Sequence, residues 1–189
     1  MSGEPAAPQA AGTPQAAGAS APQAAGAADD VVRRISTPIR LEYDVIAGRA
    51  SSRYLRGLAE GRFLGQRCPV CRKVYIPPRG SCPTDGVPTA ESVECANTGT
   101  VTTFCVVNVP FRGQSIQIPY VCAQVLLDGA DISFMGLVQE VPAGDVRMGL
   151  RVEAVWLPPD ERGPSLESVK WFRPTGEPDA SYESFASYL

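Results

Sequence analysis

The chain of 189 residues carries 17 basic and 20 acidic side chains and no histidine, for a formal net charge of -3. That balance supplies no basic field to hold a polyanionic backbone or an anionic bilayer, and without imidazole the chain has no Ser-His-Asp or Cys-His arrangement of its own. The length suits one or two domains whose core needs no disulfide, no apolar run approaches the roughly 20 residues that span a bilayer, and the N-terminus lacks a secretory pattern, so a cytoplasmic setting is expected with neither nucleic acid nor membrane as partner.

Residues 1–30 are almost entirely Ala, Gly, Pro, Gln and Ser, with Pro-Gln-Ala-Ala-Gly recurring from positions 8, 14 and 22. Such a segment has no large apolar side chain to set against the backbone entropy of ordering, and it reads as a disordered tail. The segment 31–61 reads as an extended arm and a short helix. In the arm Ile39, Leu41 and Tyr43 alternate with Arg40 and Glu42, a period of two that suits a strand laid on another surface. Ser51 or Ser52 is placed to cap the helix, which carries Tyr54, Leu55 and Leu58 on one face and Arg53, Arg56 and Glu60 on the other, and stops at Gly61. Its narrow apolar stripe suits the chain's own core and a partner's surface equally.

The segment 62–98 reads as a zinc ribbon. Cys68 and Cys71 form one C-x-x-C knuckle, and Cys82 opens a second in which Asp85 takes the fourth place. Two thiolates at this spacing point into one tight turn and fill two corners of a zinc tetrahedron; a second knuckle supplies the others. When all four ligands are protein atoms no position is open to water, so such a metal is structural. A carboxylate beside three thiolates is less usual than four thiolates, which leaves a metal-free ribbon with reduced thiols, or a Cys68–Cys71 redox couple, as competing readings.

Residues 99–174 show short β-rich runs at about Thr100–Val109, Tyr120–Leu127, Ile132–Val138, Arg151–Leu157 and Val169–Phe172, which fit a mainly β fold with a five-stranded OB barrel. Asp128-Gly129 marks a tight hairpin between the second and third runs, and Pro110–Pro119 a long loop beside a binding surface. Cys95, Cys105 and Cys122 stand singly in or near these runs and read as small core residues. In the segment 175–189, Tyr182, Phe185 and Tyr188 recur every third residue, a face able to dock on a partner or to pack on the chain's own barrel.

Across 39–174 the succession Leu58-Ala-Glu-Gly-Arg-Phe-Leu-Gly-Gln-Arg-Cys-Pro-Val-Cys, Ile76-Pro-Pro-Arg, Cys82-Pro, Gly99-Thr-Val, Pro119-Tyr, Leu127-Asp-Gly, Met148-Gly-Leu-Arg-Val and Trp171-Phe-Arg-Pro resembles the OB-fold and rubredoxin-like zinc-ribbon partners of thiolase-like and lipid-transfer-protein-type acyl-CoA enzymes. The resemblance implies a helix, a zinc ribbon and an OB barrel in that order. It implies a non-catalytic subunit, with the catalytic residues on a partner that acts as a retro-aldolase or as a thiolase or acyltransferase, in one branch on steroid side chains. A heterotetramer with acyl-CoA near the interface goes with it. Only Asp85 departs from the family's ligand pattern.

In that setting Arg67, Arg72, Lys73 and Arg79 on the ribbon suit CoA phosphates or an acidic patch of the partner, against the plainer reading of solvated charge. Phe111 and Tyr120 at the long loop, with Tyr182, Phe185 and Tyr188 in the tail, are candidate interface anchors. The alternative function is a single-stranded nucleic-acid-binding zinc-ribbon and OB module, which the acidic balance opposes.

Overall fold

A computed structural model of the protein describes Ile39 and residues 41–189. The tail expected over 1–30 and most of the expected arm lie outside the described residues. Between Ile39 and Tyr43 the described residues hold no helix or ladder. From Asp44 to Leu189 the chain forms a separate compact unit.

That unit begins with α1 (Arg49–Ala59). Its N-cap is Gly48, without a side-chain cap, so the helix starts ahead of the expected Ser51 or Ser52. Ser52 instead lies inside the first turn, its N–H on the Gly48 carbonyl at 2.9 Å. The end falls at Gly61 as expected. Gly61 has φ +74°, and the N–H groups of Arg62 and Gly61 close back on the carbonyls of Gly57 and Leu58 at 2.8 and 3.0 Å, a left-handed termination open to glycine. Tyr54 and Leu58 are buried in the main core, so the helix covers this chain's own interior.

Three antiparallel strands follow in the order β2-β1-β3, with β1 at Phe63–Arg67, β2 at Val74–Tyr75 and β3 at Glu91–Cys95. The chain then enters a closed barrel of β4 (Thr98–Val107), β5 (Tyr120–Leu127), β6 (Phe134–Val138), β7 (Arg151–Trp156) and β8 (Val169–Pro174), ordered β4-β5-β6-β8-β7. All neighbours are antiparallel except β6 and β8, which run parallel and share the single pair Val138↔Phe172. This is the connectivity of a five-stranded Greek-key OB barrel. The expected strands agree with it to within a residue or two at nearly every end.

Ribbon and barrel share one core. Phe63 of β1 is fully buried, with its ring centroid 4.7 Å from Trp156, 5.7 Å from Phe134 and 6.4 Å from Phe172. One aromatic from the ribbon thus seals the barrel interior. Gly136 makes room beside it, since a Cβ there would lie 2.7 Å from the Phe172 ring.

Two expectations need correction. Asp128-Gly129 does form a turn, with the Ala130 N–H on the Leu127 carbonyl at 2.9 Å, but β5 and β6 do not zip up to it, and their ladder starts at Val125↔Phe134. The intervening residues are drawn away because Asp131 pairs with β2, donating its N–H to the Val74 carbonyl at 2.9 Å and accepting the Val74 N–H on its carboxylate at 2.8 Å. The second correction concerns the single cysteines. Cys95 is a core residue, but Cys105 is exposed and Cys122 half-buried. A bulge in β4 between Val101 and Thr103 reverses the inward and outward sequence beyond it, which turns Cys105 to the outside.

Candidate metal centre and neighbouring surfaces

The two knuckles repeat one local design. The Cys68 N–H bonds to the Lys73 carbonyl at 2.9 Å, and the Cys82 N–H bonds to the Val87 carbonyl at 2.8 Å. Arg72, four residues after Cys68, has φ +64°, and Gly86, four after Cys82, has φ +68°. Asp85 therefore occupies in the second turn the place that Cys71 holds in the first. Backbone N–H groups point at the sulfurs, Val70 to Cys68 Sγ at 3.3 Å and Asp85 to Cys82 Sγ at 3.4 Å, an arrangement that favours thiolate over thiol. The Tyr75 hydroxyl lies 3.3 Å from Cys82 Sγ.

The donor atoms of Cys68, Cys71, Cys82 and Asp85 all lie within 4.8 Å of one another. Tetrahedral ligation with Zn–S bonds of about 2.3 Å requires sulfurs about 3.8 Å apart, and about 3.5 Å between sulfur and a carboxylate oxygen. The chain sets Cys71 Sγ 3.7 Å from Cys82 Sγ, and Asp85 Oδ2 3.2 Å from both Cys68 and Cys82. The donor set fits a metal ion of that size. Cys68 and Cys82 are buried and the other two half-buried, so the cluster is enclosed and offers little room for substrate.

The thiols of Cys71, Cys68 and Cys82, hydrogen-bonding to Asp85, hold its carboxyl at about 2. It stays ionised across the physiological range. The same contacts, Asp85 first, push the Cys71 thiol up to about 11. Burial alone would raise Cys82, but donation from the Tyr75 hydroxyl and from the backbone N–H groups of Asp85 and Thr84 brings it below its ordinary value. The carboxylate is thus available as a fourth ligand, and Cys82 gives up its proton most readily of those two thiols.

The expected basic cluster divides. Arg67 and Arg72 converge on Glu91 at 3.3 and 3.8 Å, which offsets part of their charge, and Arg79 is exposed. Lys73 instead borders a cavity of about 610 Å3 with Thr102, Gln124, Asp131, Ser133 and Tyr188. In the tail Phe185 is buried against the chain's own barrel, and Tyr182 packs edge-on over it at 5.6 Å. Tyr188 donates its hydroxyl to Asp131 Oδ1 at 3.3 Å. Phe111 is 60% exposed in the loop between β4 and β5, and Tyr120 is half-buried opposite Val107.

Two polar anchors escaped the sequence reading. Asp131 joins ribbon, barrel and tail through the bonds just described. Asp128 accepts both terminal nitrogens of Arg151 at 2.8 and 2.6 Å and the Thr98 hydroxyl at 2.5 Å. Neither has a spacing signature, because each partner is far away in sequence.

Comparison with known proteins joins these features. The profile of the rubredoxin-like zinc ribbon of ChsH2 matches residues 56–90, and that of the C-terminal OB-fold domain of ChsH2 matches residues 92–157. The chain belongs to the ChsH2 family. Among solved structures, the one titled Ltp2-ChsH2(DUF35) aldolase is 25% identical with a TM-score of 0.54, and the match covers 69% of this chain and 98% of that one. A DUF35-family protein of unknown function from Sulfolobus solfataricus shares the fold at 16% identity and TM-score 0.50, over 67% of this chain and 84% of its own. No curated protein matches the sequence. As a ChsH2-family chain, the molecule has its metal-type cluster within the segment that the zinc-ribbon profile covers.

Proposed function

We propose that this chain is the non-catalytic subunit of a thiolase-like, lipid-transfer-protein-type acyl-CoA enzyme, and that it stabilises that partner and helps to wall its acyl-CoA site. The supporting observation is the match to 98% of the length of a solved chain of the Ltp2-ChsH2(DUF35) aldolase, together with the ChsH2 ribbon and OB-fold profiles on this chain. The physical argument agrees. A sequence without histidine lacks the side chain best suited to proton transfer near neutrality, and a four-donor centre leaves no open coordination site for a substrate. What the chain offers instead is a rigid body with apolar and aromatic groups at its rim, suited to fixing a partner's loops.

In this reading the ion at Cys68, Cys71, Cys82 and Asp85 is zinc and serves to hold the ribbon. The partner cleaves or builds a carbon–carbon bond next to a thioester by retro-aldol or thiolase chemistry, with steroid-derived acyl chains as the leading substrates. Two copies of each chain form the assembly, in a cytoplasmic setting.

Co-expression with a thiolase-like enzyme of the lipid-transfer type tests the proposal. The two chains should co-elute at a mass above either alone, and acyl-CoA turnover should appear only in the mixture. Turnover by the isolated chain, or partner activity unchanged by its presence, would overturn it.

A further inference from the structure

On the outer face of the barrel, Cys105 of β4 stands directly opposite Cys122 of β5 in antiparallel register. Val121, Ala123 and Val125 of β5 are buried while Cys122 is half-buried, so alternation places Cys122 outward, and directly paired residues share a face. Direct antiparallel partners have Cα atoms about 4.5 to 5.5 Å apart, inside the range of about 4.4 to 6.8 Å that a disulfide spans. Among the six cysteines Cys105 is the exposed one, and it borders with Cys122, Phe104 and Met135 a shallow groove of about 430 Å3. The ribbon cysteines belong to the candidate metal centre, and Cys95 is buried.

We propose that Cys105 and Cys122 are a peroxide-reactive pair that closes a reversible cross-strand disulfide and staples the base of the 108–119 loop. Cys105 reacts first. Its thiolate attacks one oxygen of a hydroperoxide, the O–O bond breaks, the departing oxygen leaves as water or an alcohol after taking up a proton, and Cys105 becomes a sulfenic acid as the peroxide is reduced by two electrons. Cys122 sulfur then attacks the sulfenic sulfur. The S–S bond forms, the S–O bond breaks, and a second water carries away the oxygen with the Cys122 proton. Small thiols reverse the reaction by exchange. Burial, with Cys105 as a second influence, keeps the Cys122 thiol above its ordinary value, which suits the resolving and not the attacking role. Closure forms a ring over residues 106–121, the segment that carries exposed Phe111, and limits the freedom of that loop in the way a cross-link limits any chain it closes.

Peptide mapping of the purified full chain after one equivalent of hydrogen peroxide tests the pair. The expected product is an intramolecular Cys105–Cys122 link with a mass loss of about 2 Da, reversed by dithiothreitol and absent in C105S. In C122S the reaction should stop at a sulfenic acid on Cys105, captured by dimedone. Cys105 passing to sulfinic acid while Cys122 stays a thiol, a link formed between two chains, or oxidation of the ribbon thiols with this pair untouched would each overturn the proposal.

Discussion

Asp85 stands in the second knuckle where the first has Cys71, on a turn whose hydrogen bonds match it. The scaffold therefore accepts either ligand type, and exchanging them should alter affinity and leave the fold intact. With zinc as the proposed ion, Asp85→Cys should bind it at least as tightly as the parent chain. Asp85→Ala should weaken binding more than about tenfold, since losing even a supporting contact costs that much, and competition with a chromophoric chelator reads the difference. A second residue sets the acid behaviour. Asp128 is held below the usual carboxylate range by hydrogen bonds from Arg151 and Thr98. A depressed folded-state value contributes stability above about pH 4, the unfolded value, and loses it as pH falls through the folded value. Its side chain is 43% exposed, so screening keeps the contribution near about 1 kcal/mol. Asp128→Asn should be destabilised by about that amount in urea melts at pH 7, and the gap to the wild type should close as the pH falls below about 4 and through the depressed folded value.

Strands and ribbon are tied together through the shared core and through Asp131, and each tie has its own cost. Phe63→Ala would empty the aromatic cluster at the barrel mouth and should cost about 3 to 5 kcal/mol by denaturant unfolding. Asp131→Ala removes the acceptor of the Val74 N–H and of Tyr188 and should cost about 1 to 3 kcal/mol. In that variant the Val74 amide should exchange with solvent faster than those of β5. These ties explain what the sequence could and could not reveal. The barrel strands were legible because short runs rich in β-branched and aromatic residues are set off by Gly, Pro and Asp turn signals, and the knuckles because ligand spacing is local. Cys105 was misplaced because its facing depends on a bulge that no residue type announces, and the Ser51 or Ser52 cap failed because backbone geometry at Gly48 served as well as a hydroxyl. Asp131 looked like one more turn residue, since its partners lie at positions 74 and 188.

At the scale of the molecule the buried groups fall into two clusters, the large one running through α1, β1 and the barrel, the small one formed by Cys68, Tyr75 and Cys82 with Cys71, Val87 and Ile132. Withdrawal of metal should act on the two knuckle turns around the second cluster, and Val74 and Ile76 of the first should keep their protection. After treatment with a strong chelator, amides of the two knuckle turns, 68–73 and 82–87, should lose their exchange protection while those of β4 and β5 keep theirs. The barrel wall itself is uneven. β6 and β8 meet at one residue pair, whereas β5 and β6 share five. A cylinder fastened at one point along one flank bends there before it bends elsewhere, so thermal breathing will gather on that line. The apolar slot of about 300 Å3 between β6 and β8, walled by Phe134, Leu137, Val169 and Trp171, will swell and shrink with it.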